Sequence, residues 1–285
     1  MPNPIAPLVV IEPPLLEPSP YGLVASGQLI TESNERWLAG FSWDPQSCVS
    51  MTVQSPANLI DTDDPLSNPL ANPSSLTTIY PWMMELALDR ITWGFEAYDY
   101  PERVRRWVEN CTSKTLESEF WSGSLAVGNQ DLASTTDIIA GDHHPVQALA
   151  LLEQALADAG CGGRGMIHVS PELITHWTAW NLIERDGSRL VTSARRTVVV
   201  AGSGYPTSGP TASPDGAAAD GYAWAFATGM CQVRLSDITV SPETFAEALD
   251  RKTNELTFRA WRYGAVNFDP CVGPVAVRAD FTTGY

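Results

Sequence analysis

The sequence predicts an α+β fold, in which helices and strands are grouped along the chain rather than alternating. Two observations carry this prediction. Apolar residues recur at helical spacing over residues 99–122 and again over residues 145–159. The second half of the chain adds strand-forming runs bounded by turn residues, among them RLVTS, RTVVVAG and YAWAFATGMCQVRLSDITV. With 285 residues, the chain can bury a substantial core in one large domain or two modest ones.

The first 98 residues lack this regularity. The run MPNPIAPLVVIEPPLLEPSP is rich in proline and lacks the basic residues of a signal peptide, so residues 1–34 are predicted to form an extended arm. Residues 35–98 contain two aromatic-rich stretches, NERWLAGFSW and LTTIYPWMMELALDRITWGF, which are predicted as strands or extended segments. The polar stretch between them is unusually long for a loop in a compact domain, so either it is disordered or something outside the monomer holds it.

A long helix is predicted over about residues 99–122. Asp99 can cap its first turn, and Glu102 follows three positions later as in a capping box. An apolar stripe runs through the segment while charges cover the opposite face. Gly123 is a suitable residue to end the helix.

The stretch Gly160–Gly165, GCGGRG, matches the dinucleotide-binding pattern G-x-G-x-x-G letter for letter. In such a site the glycines follow a strand and open a helix, so that the phosphates meet the positive end of the helix dipole. Here the order is reversed, because a helix that starts at Pro145 ends at Gly160 and the strand GMIHV follows. The glycines are therefore interpreted as a helix end and a turn, and no cofactor is predicted.

The remaining elements are shorter. Ser170 is predicted to cap a helix that begins at Pro171, and Asp186-Gly187 marks a hairpin turn. The stretch SPETFAEALDRKTNE is predicted as a short helix capped by Ser241. The end of the chain, NELTFRAWRYGAVNFDPCVGPVAVRADF, is predicted as long strands.

Charge and composition exclude several classes of protein. The net charge is −16, and residues 1–100 hold only Arg36 and Arg90 against twelve acidic residues, which argues against a nucleic-acid-binding surface. No apolar run is long enough to cross a membrane. The five cysteines are widely spaced, so neither a zinc site nor a disulfide framework is predicted, and reduced buried thiols are the favoured interpretation. They are Cys48, Cys111, Cys161, Cys231 and Cys271.

The histidines are the first candidates for chemistry. Asp142-His143-His144 is the best metal candidate, but adjacent histidines do not share a face and no third ligand lies nearby in sequence. A helix N-cap with surface histidines is the favoured interpretation. His168 lies in an apolar strand and is predicted to be a hydrogen-bonded core residue, and His176 is predicted to pack beside tryptophans.

The other candidates are weaker. Ser203 in AGSGYP lacks the spacing of the G-x-S-x-G nucleophile elbow. The glycosylation sequon Asn110-Cys111-Thr112 lies inside a predicted helix. Glu117 and Glu119, two positions apart on that helix, do not face each other as a catalytic pair would. The sequence therefore predicts no catalytic, cofactor-binding or metal-binding residue and no enzyme.

The order of these elements resembles that of the major capsid proteins of tailed bacteriophages with the Hong-Kong-97-like fold, particularly those from phages of actinobacteria. YPERVRRWVENCTSKTLESEFWSG resembles the spine helix, HPVQALALLEQALADAG…MIHVSPELITHW the start of the axial domain, and RTVVVAGSGYP a strand that ends in a characteristic turn. DRKTNELTFRAWRYGAVNFDPCVGPVAV resembles the closing strands of the peripheral domain.

The resemblance implies five regions: an N-terminal arm at 1–34, an extended loop at 35–98, the spine helix with the first part of the peripheral domain at 99–143, an axial domain at 144–240, and closing peripheral strands at 241–285. It implies a structural subunit that assembles with itself into pentamers and hexamers of an icosahedral head. Such a head, formed in the host cytoplasm, encloses double-stranded DNA without binding it specifically. Its expected partners are a separate scaffold protein, a portal and a cement or decoration protein, with no membrane.

Two departures from the family can be stated. Some members crosslink a loop lysine to an asparagine on a neighbouring subunit, but residues 1–113 contain no lysine, so a shell without such crosslinks is expected. Some begin with a helical segment that is later cleaved, whereas this chain begins with the proline-rich arm, so no large cleaved segment is expected.

Several alternatives remain open at this stage. Tryptophans in the predicted loop suit intersubunit anchors, but they equally suit a large core. They are Trp37, Trp43, Trp82 and Trp93. The chain could also be a minor head or vertex protein, a shell protein of an encapsulin-type nanocompartment, or a hydrolase that uses Ser203 or His168.

Overall fold

A computed structural model describes residues 17, 19–43, 77–91, 99–125, 128–159, 165–217, 219–270 and 272–282. Five α-helices lie in these ranges: α1 Leu23–Ser26, α2 Tyr100–Ser122, α3 Pro145–Asp158, α4 Pro171–Ala179 and α5 Phe245–Ala248. The first strands are β1 Gln28–Glu32, β2 Phe41–Trp43, β3 Thr77–Ile79, β4 Trp82–Ile91 and β5 Asp137–His143. The middle strands are β6 Met166–Val169, β7 Ile183–Asp186, β8 Arg189–Thr192, β9 Val198–Ala201 and β10 Tyr222–Thr228. The last strands are β11 Cys231–Ser236, β12 Thr239–Ser241, β13 Leu249–Asp250, β14 Glu255–Phe268 and β15 Val275–Asp280.

Helix α2 forms where the sequence predicts it. The Asp99 side chain accepts a hydrogen bond from the Glu102 backbone N–H, and Gly123 ends the helix in the left-handed conformation. At 1.5 Å per residue its 23 residues span about 35 Å. Its buried stripe repeats every four residues, as an amphipathic helix requires. The stripe consists of Val104, Val108, Thr112, Leu116 and Phe120.

One sheet has seven strands among the described residues, in the order β5-β15-β10-β6-β9-β8-β7. Side chains of β10 alternate between its two faces. Ala223, Ala225 and Ala227 face a cluster that includes Leu152 and Leu156 of α3, so small side chains let the helix approach the sheet. On the other face, Trp224 and Phe226 join a second cluster together with Phe120 and Trp121 of α2, and the sheet is buried on both sides.

The second sheet is built around the 14-residue strand β14. Over residues 255–264 this strand pairs antiparallel with β4, and over 264–268 it pairs antiparallel with β11. Strands β12 and β13 also pair with β14, and β1 joins the sheet parallel to β11. The first half of α2 covers β4 and β14, where Val104 and Val108 pack in a cluster with Phe258. Helix α2 thus lies against both sheets and joins their cores.

The shorter predicted elements are largely confirmed. Ser170 caps α4, which starts at Pro171, and the hairpin of β7 and β8 turns at Asp186-Gly187. The long strands predicted for the end of the chain are β14 and β15. The predicted cap of the last helix is wrong: Ser241 lies in β12, and the helix begins after Thr244.

The N-terminal region differs from the prediction. Residues 19–34 are not a free arm, because the Leu23 side chain is fully buried and β1 belongs to a sheet. Within the first aromatic-rich stretch, residues Glu35–Ala39 form a 3₁₀ helix rather than a strand, with Asn34 as its cap. Strands β2 and β3 pair antiparallel at the base of the predicted loop. The rest of the arm and loop, residues 1–16, 18, 44–76 and 92–98, lies outside the described residues.

The chain crosses between the sheets more than once. Strand β10 belongs to the seven-stranded sheet and β11 to the other, so one crossing falls between Thr228 and Cys231. A second falls between Phe268 of β14 and Val275 of β15. The closing segment of the chain therefore contributes to both sheets, and the predicted domain boundaries stay a prediction.

Candidate functional site

The carboxylate of Glu117 on α2 accepts four hydrogen bonds. Its Oε1 accepts hydrogen bonds from the Leu23 backbone N–H and the Ser113 hydroxyl, both at 2.8 Å. Its Oε2 accepts from the Gly204 backbone N–H at 2.9 Å and from the Ser203 hydroxyl at 3.4 Å. The donors come from α1, from α2 itself and from the turn that follows β9. Glu117 is therefore a three-way junction between separate parts of the fold.

Two glycines allow the chain to approach this carboxylate closely. A Cβ atom at Gly22 would lie 2.4 Å from Glu117 Oε1, and one at Gly204 would lie 2.2 Å from the Lys114 carbonyl oxygen. Both distances are far below van der Waals contact. The junction therefore requires glycine at both positions, in addition to the glutamate.

The Glu117 side chain is fully buried, and the donors that hold it are neutral amides and hydroxyls. A buried charge without a cationic partner costs folding free energy unless hydrogen bonds replace its lost hydration. Four donors do so here. The negative charge also acts on Tyr205, whose pKa is raised well above its usual value by burial first and by Glu117 second.

His168 is a core residue, as the sequence predicts. It is fully buried, with Nδ1 3.0 Å from the Tyr205 hydroxyl and Nε2 2.8 Å from Thr228 Oγ1. Because the Thr228 hydroxyl donates to the Gly229 carbonyl oxygen, its oxygen accepts from Nε2–H, and Nδ1 accepts from Tyr205. Burial lowers the pKa of His168 to about 3, so the ring is neutral and shielded from solvent. This environment suits packing and not general base catalysis.

The Asp142-His143-His144 candidate separates into three different roles. Asp142 pairs with Arg278 of β15, and its hydrogen bond raises the pKa of that guanidinium. His143 lies 3.1 Å from the Ala140 carbonyl oxygen, whereas His144 caps α3 by accepting from the Val146 backbone N–H. The predicted N-cap is confirmed, with His144 as the capping residue. Within the described ranges, no group of three or more His, Cys, Asp or Glu side chains is arranged to hold a metal ion.

The remaining candidates also serve structure. The Ser203 hydroxyl bonds to Glu117, and His176 packs as a ring stacked on Phe281, with centroids 4.2 Å apart, a partner other than the tryptophans that the sequence indicated. In the sequon, the Thr112 hydroxyl is buried and donates to the Val108 carbonyl oxygen one helical turn earlier. Glu119 accepts from the Ser124 hydroxyl and the Leu125 N–H, which fixes the chain after α2.

The glycine-rich stretch Gly160–Gly165 follows α3 and precedes β6, in the helix-then-strand order that the sequence predicts. Residues 160–164, including the predicted helix-ending glycine, lie outside the described residues. At Gly165 a Cβ atom would lie 2.3 Å from the Thr228 carbonyl oxygen and 2.4 Å from the Leu156 side chain. This glycine therefore allows β6 to enter the sheet beneath α3.

A cavity of about 750 Å³ opens between the end of α3, the start of β5 and the end of β14. Its lining includes Asp131, Asp137 and Asp158, and the lining residues that the structure describes include no lysine, arginine or histidine. The last turn of α3 also lacks a basic residue. Burial raises the pKa of Asp131, and nearby Glu119 raises it further. The groove is negative, so it disfavours phosphate groups.

The surface carries exposed apolar side chains that the monomer leaves uncovered. Among the described residues, six large ones are at least 39% exposed: Leu29, Tyr80, Met83, Leu125, Trp180 and Met230. Met83 lies on the face of β4 opposite the side that α2 covers, and its partner Tyr263 on β14 is only partly buried. No helix in the described part of the chain has the length and apolarity needed to cross a bilayer.

The three tryptophans of the predicted loop that the structure describes lie in the core or pack against it. Trp37 and Trp82 are each 8% exposed and belong to the cluster that contains Phe120. Trp43 is partly buried against the same cluster, and Trp93 lies outside the described residues. The intersubunit-anchor interpretation is therefore wrong for Trp37 and Trp82, because the monomer already buries them.

Sequence reasoning missed that acidic residues are buried in the fold, and two of them hold separate elements together. Glu117 is the first, and the second is Glu153 on α3, which accepts from the Thr192 hydroxyl at 2.6 Å and the Thr197 hydroxyl at 3.0 Å. The available signal at Glu117 was weak: Ser113 lies one turn earlier on the same face. The other donors come from residues about 90 positions away in either direction.

Comparisons with known proteins identify the fold. No protein-family model matches the chain, and no curated protein matches its sequence. Solved structures do match over nearly the whole chain. The holo-SrpI encapsulin complex from Synechococcus elongatus PCC 7942 matches with a TM-score of 0.60 and 11% identity, over 98% of this chain and 95% of that one. The capsid of Ralstonia phage GP4 matches with a TM-score of 0.58 and 12% identity, over 98% and 96%.

The capsid of an empty GTA particle matches with a TM-score of 0.58 and 13% identity, over 97% of this chain and 95% of that one. The chain therefore has the Hong-Kong-97-like fold of capsid shell subunits, and the predicted fold class is confirmed. At sequence identities of 11–13%, the similarity to these structures shows a shared fold and does not by itself show a shared function.

Proposed function

We propose that this chain is the major capsid protein of a phage head, and that it assembles with itself into the pentamers and hexamers of an icosahedral shell. The observation that carries the proposal is the extent of the match, since 98% of this chain aligns with 96% of the Ralstonia phage GP4 capsid chain. The shell encloses double-stranded DNA without specific contacts to it, and the protein is a component of the virion.

The chemistry of the described residues supports a structural role rather than an enzymatic one. The polar candidates His168, Ser203 and Asp142 are each engaged in hydrogen bonds or ion pairs that hold elements of the fold together. A net charge of −16 and a negative groove disfavour tight binding of packaged phosphate, so DNA can be packed and released.

Exposed apolar side chains supply contact area for neighbouring copies. The absence of lysine from residues 1–113 favours a shell held by noncovalent contacts. A separate scaffold protein, a portal and a cement or decoration protein remain proposed partners.

A second candidate is the shell of an encapsulin-type nanocompartment, because the SrpI encapsulin complex matches with a TM-score of 0.60 over the same share of the chain. The two candidates differ in content rather than in fold: a phage head holds DNA, whereas a nanocompartment holds a protein cargo.

The test is the isolation of particles from cells that carry the gene, followed by negative-stain microscopy and digestion of external nucleic acid. A phage head contains nuclease-protected double-stranded DNA of uniform length, with this chain as the most abundant protein. Particles that contain a second protein and no protected DNA would favour the nanocompartment. A chain present at only a few copies per particle would indicate a minor head protein instead.

A further inference from the structure

Residues 19–32, called here the crossing segment, connect the two sheets directly. At one end, the Tyr21 carbonyl oxygen accepts a hydrogen bond from the Ala201 N–H at 3.0 Å, at the end of β9 in the seven-stranded sheet. At the other end, β1 pairs with β11 in the other sheet, and Glu32 forms an ion pair with Arg234. The segment therefore crosses from one sheet to the other within about twelve residues.

The middle of the crossing segment is attached to α2. The Leu23 side chain is fully buried in the cluster that also contains Phe120. The Leu23 N–H donates to Glu117 Oε1 at 2.8 Å, and the close approach of Gly22 leaves no space for a Cβ atom there. Burial of the apolar Leu23 side chain stabilises the contact between the segment and α2, while the hydrogen bond to Glu117 fixes the position of the segment along the helix.

The same carboxylate holds the turn after β9. Gly204 N–H and the Ser203 hydroxyl donate to Oε2, while the crossing segment donates to Oε1. A buried carboxylate that loses one set of donors carries an uncompensated charge, which is costly in a low dielectric. Release of the crossing segment therefore weakens the environment that also holds the turn, and the two attachments are energetically coupled.

We propose that Glu117 is a positioning residue that seats the crossing segment and the turn at residues 202–205 together, and so fixes the angle between the two sheets. In an assembled shell, which is the proposed function on which this part rests, that angle determines the curvature that neighbouring copies adopt. Glu117 with its four donors is called here the latch, and it acts within the subunit without a ligand.

The test is hydrogen exchange with mass spectrometry on the full chain, comparing wild type with Glu117→Gln. The amide replaces one carboxylate oxygen by an NH₂ group, which faces a backbone donor and loses a charge-assisted hydrogen bond. Peptides covering residues 19–32 and 202–205 should both exchange about tenfold faster or more, because local opening becomes easier.

Glu153→Gln is the matched control. Glu153 is also a buried glutamate that accepts from two hydroxyls, those of Thr192 and Thr197, and it pairs with Arg195; none of these partners belongs to the crossing segment or to residues 202–205. This variant should leave exchange in residues 19–32 at the wild-type rate. If Glu117→Gln fails to fold, Ser113→Ala removes a single donor to Oε1 and should give a smaller increase in the same two regions.

The outcomes separate the latch from the proposed function. Equal exchange in the two glutamine variants, or faster exchange in only one of the two coupled regions, overturns the latch. If wild type forms shells, microscopy of Glu117→Gln shells should give a broader range of diameters than Glu153→Gln shells, and equal ranges overturn the link to curvature. If wild type forms no shells, the proposed function fails, and the exchange comparison still decides the latch.

Discussion

His168 gives the stability of this fold a pH dependence that one substitution can isolate. The imidazole is fully buried between the hydroxyls of Tyr205 and Thr228, and burial lowers its pKa to about 3. In the unfolded chain the same group has an ordinary pKa near 6.5. The perturbation is His168→Gln, which keeps one donor and one acceptor for the hydroxyls but does not titrate.

The direction in which the free energy of unfolding changes with pH follows from proton binding. Between pH 6.5 and pH 3 the unfolded chain binds a proton at His168 that the folded chain excludes, so the free energy of unfolding falls as the pH falls. The stabilising contribution of the neutral His168 ring is therefore fully present above pH 6.5 and is lost progressively between pH 6.5 and pH 3. With these two pKa values the loss is about 2 kcal/mol at pH 5 relative to pH 8, and about 5 kcal/mol below pH 3.

The assay is urea unfolding of the unassembled chain, followed by tryptophan fluorescence at pH 8 and pH 5. Wild type should lose about 2 kcal/mol more than His168→Gln between these two values, because contributions from carboxylates and from the other histidines cancel in the comparison. The variant is expected to be the less stable protein at pH 8, since its amide fills the cavity less well.

A direct measurement of the ring accompanies the unfolding data. The NMR signals of the His168 imidazole, assigned by their absence in the variant, should stay constant between pH 8 and pH 5. Parallel pH curves for the two proteins, or a midpoint above pH 5 for this ring, would refute the claim that a dry core holds the imidazole neutral.

Three further outcomes are expected. Gly204→Ala should lower the free energy of unfolding by about 1–3 kcal/mol, because its Cβ would lie 2.2 Å from the Lys114 carbonyl oxygen, whereas Gly273→Ala meets only an ordinary contact and should stay within about 0.5 kcal/mol. If chemical denaturation gives a loss for Gly204→Ala no larger than that for Gly273→Ala, the close approach at Gly204 is unimportant for stability. Cys111 is exposed and should react with a thiol reagent in the native protein. Cys231 should be protected, because it is buried and burial raises its pKa to about 12. Peptide mapping that finds Cys231 labelled first would contradict this expectation. Boiled and reduced shells should run as a single monomer band on SDS gels, and a ladder of covalent oligomers would disprove the noncovalent shell.

Helices α2, α3 and α4 could be predicted from sequence because their signals are local. Asp99 and Gly123 bracket α2, and Ser170-Pro171 opens α4, as capping chemistry and proline geometry require. The order of elements was also sufficient to identify the fold, although the sequence itself matches no family model. A wrong cap at Ser241 shows the limit of the same argument, because pairing with β14 draws that residue into a strand.

The parts that escaped prediction depend on partners distant in sequence. The crossing segment follows a proline-rich stretch and is predicted to belong to the extended arm, yet its strand β1 pairs with β11, about 200 residues later in the chain. Glu117 looks like one more charge on a helix until the donors from Leu23 and Gly204 converge on it. Trp82 reads equally well as an anchor for a neighbour and as core, and only the packing of the monomer decides between them.

The measurement that tests the central claim most directly is the mass of the purified full chain in solution, determined by light scattering with and without a candidate scaffold protein. A shell subunit should give particles far heavier than one chain, or capsomers at five or six times 30.9 kDa. A single species at 30.9 kDa under every condition would contradict the proposal that this protein builds a shell.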